Sequence, residues 1–173
     1  LSTARDAERA GPTDDRLPDG ETMAAVPGFD DTEAIIVAAT ATNDAHIERL
    51  QLQDARREAG AKDVTTVIPY MGYARQDKAF KTGQPVRARV AARAISTTTD
   101  RVVVVDPHET SITDYFDVPA VAVEAAAQLA EPLSALDEPL FLSPDAGAIE
   151  LAETVRDAYG DGEVDYFEKQ RDY

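Results

Sequence analysis

The run Arg101–Asp106, RVVVVD, constrains the fold more than any other stretch of the chain. Four successive valines leave no polar face to turn toward water. Their β-branched side chains favour extended backbone. Such a run reads as a strand of a parallel sheet buried beneath helices. Ala34–Thr40, AIIVAAT, is a second run of this kind. Val64–Pro69, Val118–Val123, Leu140–Ser143 and Val164–Glu168 supply further strands.

Helical stretches separate these strands. Asn43–Ala59 opens on a good cap residue and stops at Gly60. Its apolar residues Ile47, Leu50, Leu52 and Ala55 spread around the helix, so periodicity contributes little there. Pro85–Thr98 carries proline at a suitable first position. In Asp145–Tyr159, the residues Ala148, Leu151, Ala152, Val155 and Tyr159 form one stripe, and Gly160 ends the helix. Alternating strands and helices predict an α/β fold with a mostly parallel sheet flanked by helices. The segment Glu131–Pro139 is the expected boundary, dividing the chain into 1–133 and 134–173.

Charge narrows the function classes. The 173 residues hold 33 acids and 17 bases, a net charge of −16. Phosphate repels such a surface, which argues against nucleic acid as a partner. The absence of cysteine excludes disulfides and cysteine-ligated zinc. No apolar run approaches the roughly 18 residues of a membrane span. The polar start LSTARDAERAGPTDD lacks the apolar centre of a signal peptide, so a cytoplasmic setting is expected. Few lysines, dispersed acids and abundant Ala and Val resemble proteins of salt-accumulating haloarchaea. Against this background, Tyr70–Gln84 (YMGYARQDKAFKTGQ) stands out. It places Arg75, Lys78 and Lys81 beside a single acid, Asp77.

In sheets of this class, ligands bind at the carboxyl ends of strands. Following the expected strands come Arg75-Gln76-Asp77, Asp106-Pro107-His108, Pro144-Asp145-Ala146-Gly147 and Lys169-Gln170-Arg171. Carboxylates with an imidazole suit a magnesium ion that keeps several waters. Lysine and arginine suit phosphate oxygens. These are the parts of phosphoryl-transfer chemistry. Neither a Walker loop nor a glycine-rich dinucleotide fingerprint is present.

Four segments occur in order: IPYMGYARQDKAFKTGQPV, RVVVVDPHETSITDYFDVP, LSPDAG and FEKQR. Together they resemble the ribose-phosphate pyrophosphokinase family in its archaeal form, from about residue 14 onward. The resemblance implies transfer of the pyrophosphoryl group of ATP to C1 of ribose 5-phosphate, giving phosphoribosyl pyrophosphate and AMP, with magnesium required. It implies two phosphoribosyltransferase-like α/β domains and a homo-oligomer built from dimers. Position by position, Asp19, Gly20 and Glu21 resemble an adenine-recognition loop presented to a neighbouring subunit. Arg75 and Gln76 resemble ATP contacts. His108, supported by Asp106, resembles a ligand of the metal–ATP complex. Asp145 resembles the carboxylate near the metal and the ribose hydroxyls, and Lys169 and Arg171 resemble the catalytic pair on the migrating group.

Plainer roles stand beside these. Asp145 also suits a helix cap, Arg75 and Lys78 suit solvated loop charges, and His108 suits a structural histidine. Lys169 and Arg171 suit a basic tail, and His46 suits a structural or interfacial position. Leu17 stands where the family generally has an aromatic ring, and Arg87 where a small serine is common. Relatives run to nearly twice this length and carry a later TGGT-like loop for the ribose phosphate. A part of a longer chain is therefore expected, with the first strand missing and the second domain truncated. The alternative reading is a catalytically inactive homologue acting as a binding or regulatory module. An unrelated nucleotide-binding α/β domain is the remaining one.

Overall fold

The computed structural model describes residues 10–28 and 31–168. Two compact units, 1–123 and 124–173, divide the chain. The stretch that the sequence suggested as a boundary, Glu131–Pro139, lies within the second.

The first unit opens with a hairpin that the sequence did not announce. Strand β1 (Thr13–Arg16) pairs antiparallel with β2 (Thr22–Ala25), setting Thr13 opposite Ala25 and Arg16 opposite Thr22. Every β1 residue is exposed, so the strand shows no apolar alternation. Its turn closes through Gly20 N–H to the Leu17 carbonyl at 2.9 Å. Gly20 adopts φ +92°, a left-handed conformation open to glycine at no steric cost.

The alternating part follows as β3 (Glu33–Val37), α1 (Asn43–Glu58), β4 (Asp63–Ile68), α2 (Arg87–Ile95), β5 (Arg101–Val105) and β6 (Ala120–Val123). The four strands form one parallel sheet in the order β3-β4-β5-β6. Register aligns Ala34 with Val64, Thr66 with Val102, and Ile68 with Val104. These side chains share one face and are buried. Each fully buried Val or Ile contributes roughly 1.5–3 kcal/mol. Helix α2 packs there through Ala88, Ala91, Ala92 and Ile95, spaced i, i+3, i+4, i+7. Small side chains let it approach the valines closely.

Helix α1 covers the neighbouring part of that face with a different chemistry. Its buried residues are Arg49, Gln53 and Arg56, which explains why its apolar periodicity is weak. Gln53 donates to Thr66 Oγ1 at 2.7 Å and to the Ile95 carbonyl at 3.2 Å. Thr42, not Asn43, caps the helix, its side chain accepting the Ala45 N–H at 3.1 Å.

With α1 and α2 on one side, Ile35, Val37, Val121 and Val123 on the other face remain exposed. The apolar runs are therefore strands, as expected, but β3 alternates in burial rather than being covered on both faces.

The second unit contains β7 (Leu140–Ser143), α3 (Ile149–Tyr159) and β8 (Glu163–Tyr166), the two strands pairing in parallel as a separate sheet. A short 3₁₀ turn, Ala146–Ala148, replaces the first part of the expected helix. Gly160 at φ +95° ends α3 as expected. The α3 stripe is only half-buried, and none of its residues is fully enclosed. No helix among the described residues is long and apolar enough to cross a membrane.

Candidate functional site

Parallel pairing of β4 with β5 brings two loops to the same edge of the first sheet. The loop after β4 is fastened first to the segment that follows β3. Thr40 is fully buried, and its N–H donates to the Tyr70 carbonyl at 2.8 Å. Its hydroxyl accepts the Gly72 N–H at 2.9 Å. A Cβ on Gly72 would fall 2.0 Å from the Thr40 carbonyl oxygen, so only glycine fits. Tyr73 adopts φ +65°, costly for an aromatic residue. Its hydroxyl donates to Asn43 Oδ1, and its ring lies 5.4 Å from that of His46.

Beneath this loop, burial lowers the His46 pKa, and the neighbouring Arg49 charge lowers it further. Arg49 is wholly buried, and its three guanidinium nitrogens meet no hydrogen-bond partner among the described residues. Burial lowers its pKa to about 10, so it stays charged at neutral pH.

Beyond Tyr73, burial alternates. Arg75 is exposed, whereas Gln76 is 5% exposed. Gln76 Nε2 donates to the Pro85 carbonyl at 3.1 Å, and its Oε1 accepts from Arg87 Nε. The Tyr115 hydroxyl donates to the Asp77 carbonyl at 2.6 Å. Lys78 and Lys81 point into solvent. Among the described residues, Arg75, Lys78 and Lys81 form no ion pair, although five other arginines do. An acidic chain with cations left over on one loop has a surface suited to an anionic ligand.

At the end of β5, Asp106 takes φ +41° and its N–H donates to the Val123 carbonyl at 2.9 Å. Asp106 and His108 are exposed at the edge that carries the Arg75 loop. No group of three or more His, Asp or Glu among the described residues is arranged to hold a metal. Magnesium, where bound through one or two carboxylates, takes its remaining ligands from waters and phosphate oxygens and needs no closed protein cage.

Asp19, Gly20 and Glu21 occupy the hairpin turn, where Asp19 Oδ1 accepts the Glu21 N–H at 3.1 Å. Arg16 ties the turn to α1 through Asp44 at 2.5 Å. Gly20, Glu21, Thr22, Asp44, Ile47 and Gln51 line a cleft of about 270 Å³. Asp145 belongs to the second unit, where its side chain caps the 3₁₀ turn by accepting the Gly147 N–H at 3.0 Å. Lys169 and Arg171 lie outside the described residues.

Sequence reasoning overlooked the supports: Thr40, Asn43, Tyr115 and the cleft beside Ile47. Gly72, inside YMGY, was the one local signal that backbone approaches backbone here.

The family model for the N-terminal domain of ribose phosphate pyrophosphokinase matches residues 9–98. A ribose-phosphate pyrophosphokinase of Halobacterium salinarum is 60% identical over 97% of this chain and 61% of its own length. One from Methanopyrus kandleri is 39% identical over 99% of this chain and 60% of its own length. The crystal structure of phosphoribosylpyrophosphate synthetase from Mycobacterium smegmatis superposes with a TM-score of 0.74 at 26% identity, covering 99% of this chain and 60% of that one. The chain thus spans about three fifths of the length of these relatives. The model match over more than half of the chain, spanning the hairpin, the cationic loop and α2, shows that the chain belongs to the ribose-phosphate pyrophosphokinase family.

Proposed function

We propose that this chain supplies the ATP-binding part of a ribose-phosphate pyrophosphokinase, which moves the pyrophosphoryl group of ATP to C1 of ribose 5-phosphate and releases AMP. One observation carries the reading within this family. An unpaired cationic loop and an exposed Asp106–His108 pair leave adjacent parallel strands at one sheet edge.

In this reading Arg75 neutralises the triphosphate. Asp106 and His108 would hold magnesium, which supplies charge neutralisation at the phosphate oxygens when bound. Asp19, Gly20 and Glu21 face the adenine of a neighbouring subunit's site in a homo-oligomer built from dimers. Asp145 serves the metal and the ribose hydroxyls, and Lys169 and Arg171 stabilise charge on the migrating group. The setting is cytoplasmic and rich in salt, whose screening offsets the repulsion of a −16 surface.

Calorimetry with magnesium–ATP tests the reading. Arg75→Ala and His108→Ala should each weaken binding about 10- to 100-fold, as expected for charge-assisted phosphate contacts. Unchanged affinity in both would reject it. The salt component is separate: the melting temperature should rise from about 0.1 M to about 3 M potassium chloride as the Debye length shrinks.

A further inference from the structure

We propose that Arg49, buried and without an ion-pair partner among the described residues, keeps the loop edge of the first sheet positive and so draws nucleotide phosphates that it does not touch. The inference rests on the ATP reading above and deepens it. It adds to Arg75, Lys78 and Lys81 a charge that no exposed surface reveals.

Helix α1 turns three polar side chains inward: Arg49, Gln53 and Arg56. Gln53 donates to Thr66 and to the Ile95 carbonyl, and Arg56 donates to the Val26 carbonyl. Arg49 differs from both. It is fully buried, and none of its guanidinium nitrogens has a hydrogen-bond partner among the described residues. Aspartates pair with Arg16, Arg57, Arg93, Arg101 and Arg156, but no described carboxylate comes within ion-pair reach of Arg49. Burial lowers its pKa only to about 10, so the charge persists at neutral pH. An isolated buried charge costs stability, and an apolar side chain of similar length would avoid that cost. Groups held at such a cost concentrate at functional sites.

Its place in the helix says where the charge acts. From Asn43 to Arg49 the helix rises about 9 Å, and helical side chains lean back toward the N-terminus. The guanidinium therefore sits close below the start of α1. That start touches the loop after β4. Asn43 Oδ1 accepts the Tyr73 hydroxyl, and the His46 ring lies 5.4 Å from the Tyr73 ring. The Arg49 charge already reaches His46, whose pKa is lowered by burial first and by this neighbour second. Arg75 follows closely after Tyr73 in the chain. A charge enclosed by protein acts through a lower dielectric and is screened less by salt than the exposed cations are.

Three variants of the whole chain test this by thermal melts and calorimetry. Arg49→Met should raise the melting temperature. It should also weaken magnesium–ATP binding about threefold to tenfold, as for charges about 10–15 Å apart in surroundings between protein and water. Arg49→Lys keeps the charge and should bind as the parent does. Without magnesium, the loss in Arg49→Met should be larger for ATP than for AMP, because the attraction scales with ligand charge. A distorted loop would weaken both nucleotides alike. A lower melting temperature in Arg49→Met overturns the unpaired-charge reading. Equal losses for ATP and AMP, or equal weakening by Arg49→Lys and Arg49→Met, overturn the electrostatic role. Parental affinity in Arg49→Met with weakened binding in Arg75→Ala overturns that role and leaves the ATP reading standing. Parental affinity in both rejects the ATP reading and this inference together.

Discussion

The loop after β4 is pinned from Tyr70 to Asp77, whereas the start of the loop after β5 exposes Asp106 and His108. Thr40, Gly72, Asn43, Gln76 and Tyr115 all fasten the first. Arg75 lies exposed among those pins, and Lys78 and Lys81 are exposed beyond them. In the second loop, Asp106 and His108 are both exposed. The contrast separates two duties. Buried, hydrogen-bonded residues hold geometry, and the exposed charges face solvent. Substitutions in the first group should cost folding free energy. Those in the second should cost affinity and leave folding almost unchanged.

The largest effect is expected at Gly72. A methyl group there meets the backbone oxygen of Thr40, which cannot yield without moving the buried segment that follows β3. Gly72→Ala should destabilise by on the order of 3 kcal/mol or more in denaturant unfolding. A cost below about 1 kcal/mol would mean that the loop is not pinned to Thr40.

Thr40→Val comes next. The shapes are similar, but the acceptor of the buried Gly72 N–H is lost. A cost of about 1–3 kcal/mol follows from leaving that donor unsatisfied. A neutral result in the same unfolding assay would show that the hydroxyl is not a fastener.

A smaller effect depends on pH. His46 has a folded-state pKa below its ordinary 6.5, so the unfolded chain takes up the proton more readily. Its contribution to stability is fully present above about 6.5 and is lost as the pH falls from there through the folded-state pKa. Melting temperatures taken downward from about pH 8 should fall in that window, and His46→Gln should flatten this part of the curve. An identical profile in the variant would remove His46 from the supporting set.

The smallest folding effect belongs to the loop after β5. His108→Ala should shift unfolding by no more than about 0.5 kcal/mol, as for an exposed site, while weakening magnesium–ATP binding. A large stability loss would erase the division between the two loops.

Much of this architecture was legible from local pattern. RVVVVD and AIIVAAT pointed to strands and the parallel class, because burial on a sheet face selects apolar residues directly, and the proline at the start of Pro85–Thr98 marked the helix found at Arg87–Ile95. The cationic loop was legible because three bases in an acidic chain are costly to explain as solvation alone. The β1–β2 hairpin was not legible, since TDDR is exposed on both faces and carries no alternation. Nor was the α1 face, where Arg49, Gln53 and Arg56 are buried at positions that periodicity assigns to apolar residues.

The sequence by itself determined the residue types: apolar runs for parallel strands, helices between them, and charges suited to phosphate. Tertiary structure alone decided which of those residues are free to act. Arg75 and Gln76 are adjacent in the chain, yet one faces solvent and the other is locked between Pro85 and Arg87. That outcome depends on where α2 begins relative to β4, a relation between distant segments that no local pattern carries. Hydrogen bonds within a loop are settled only when the sheet and helix that frame it are in place.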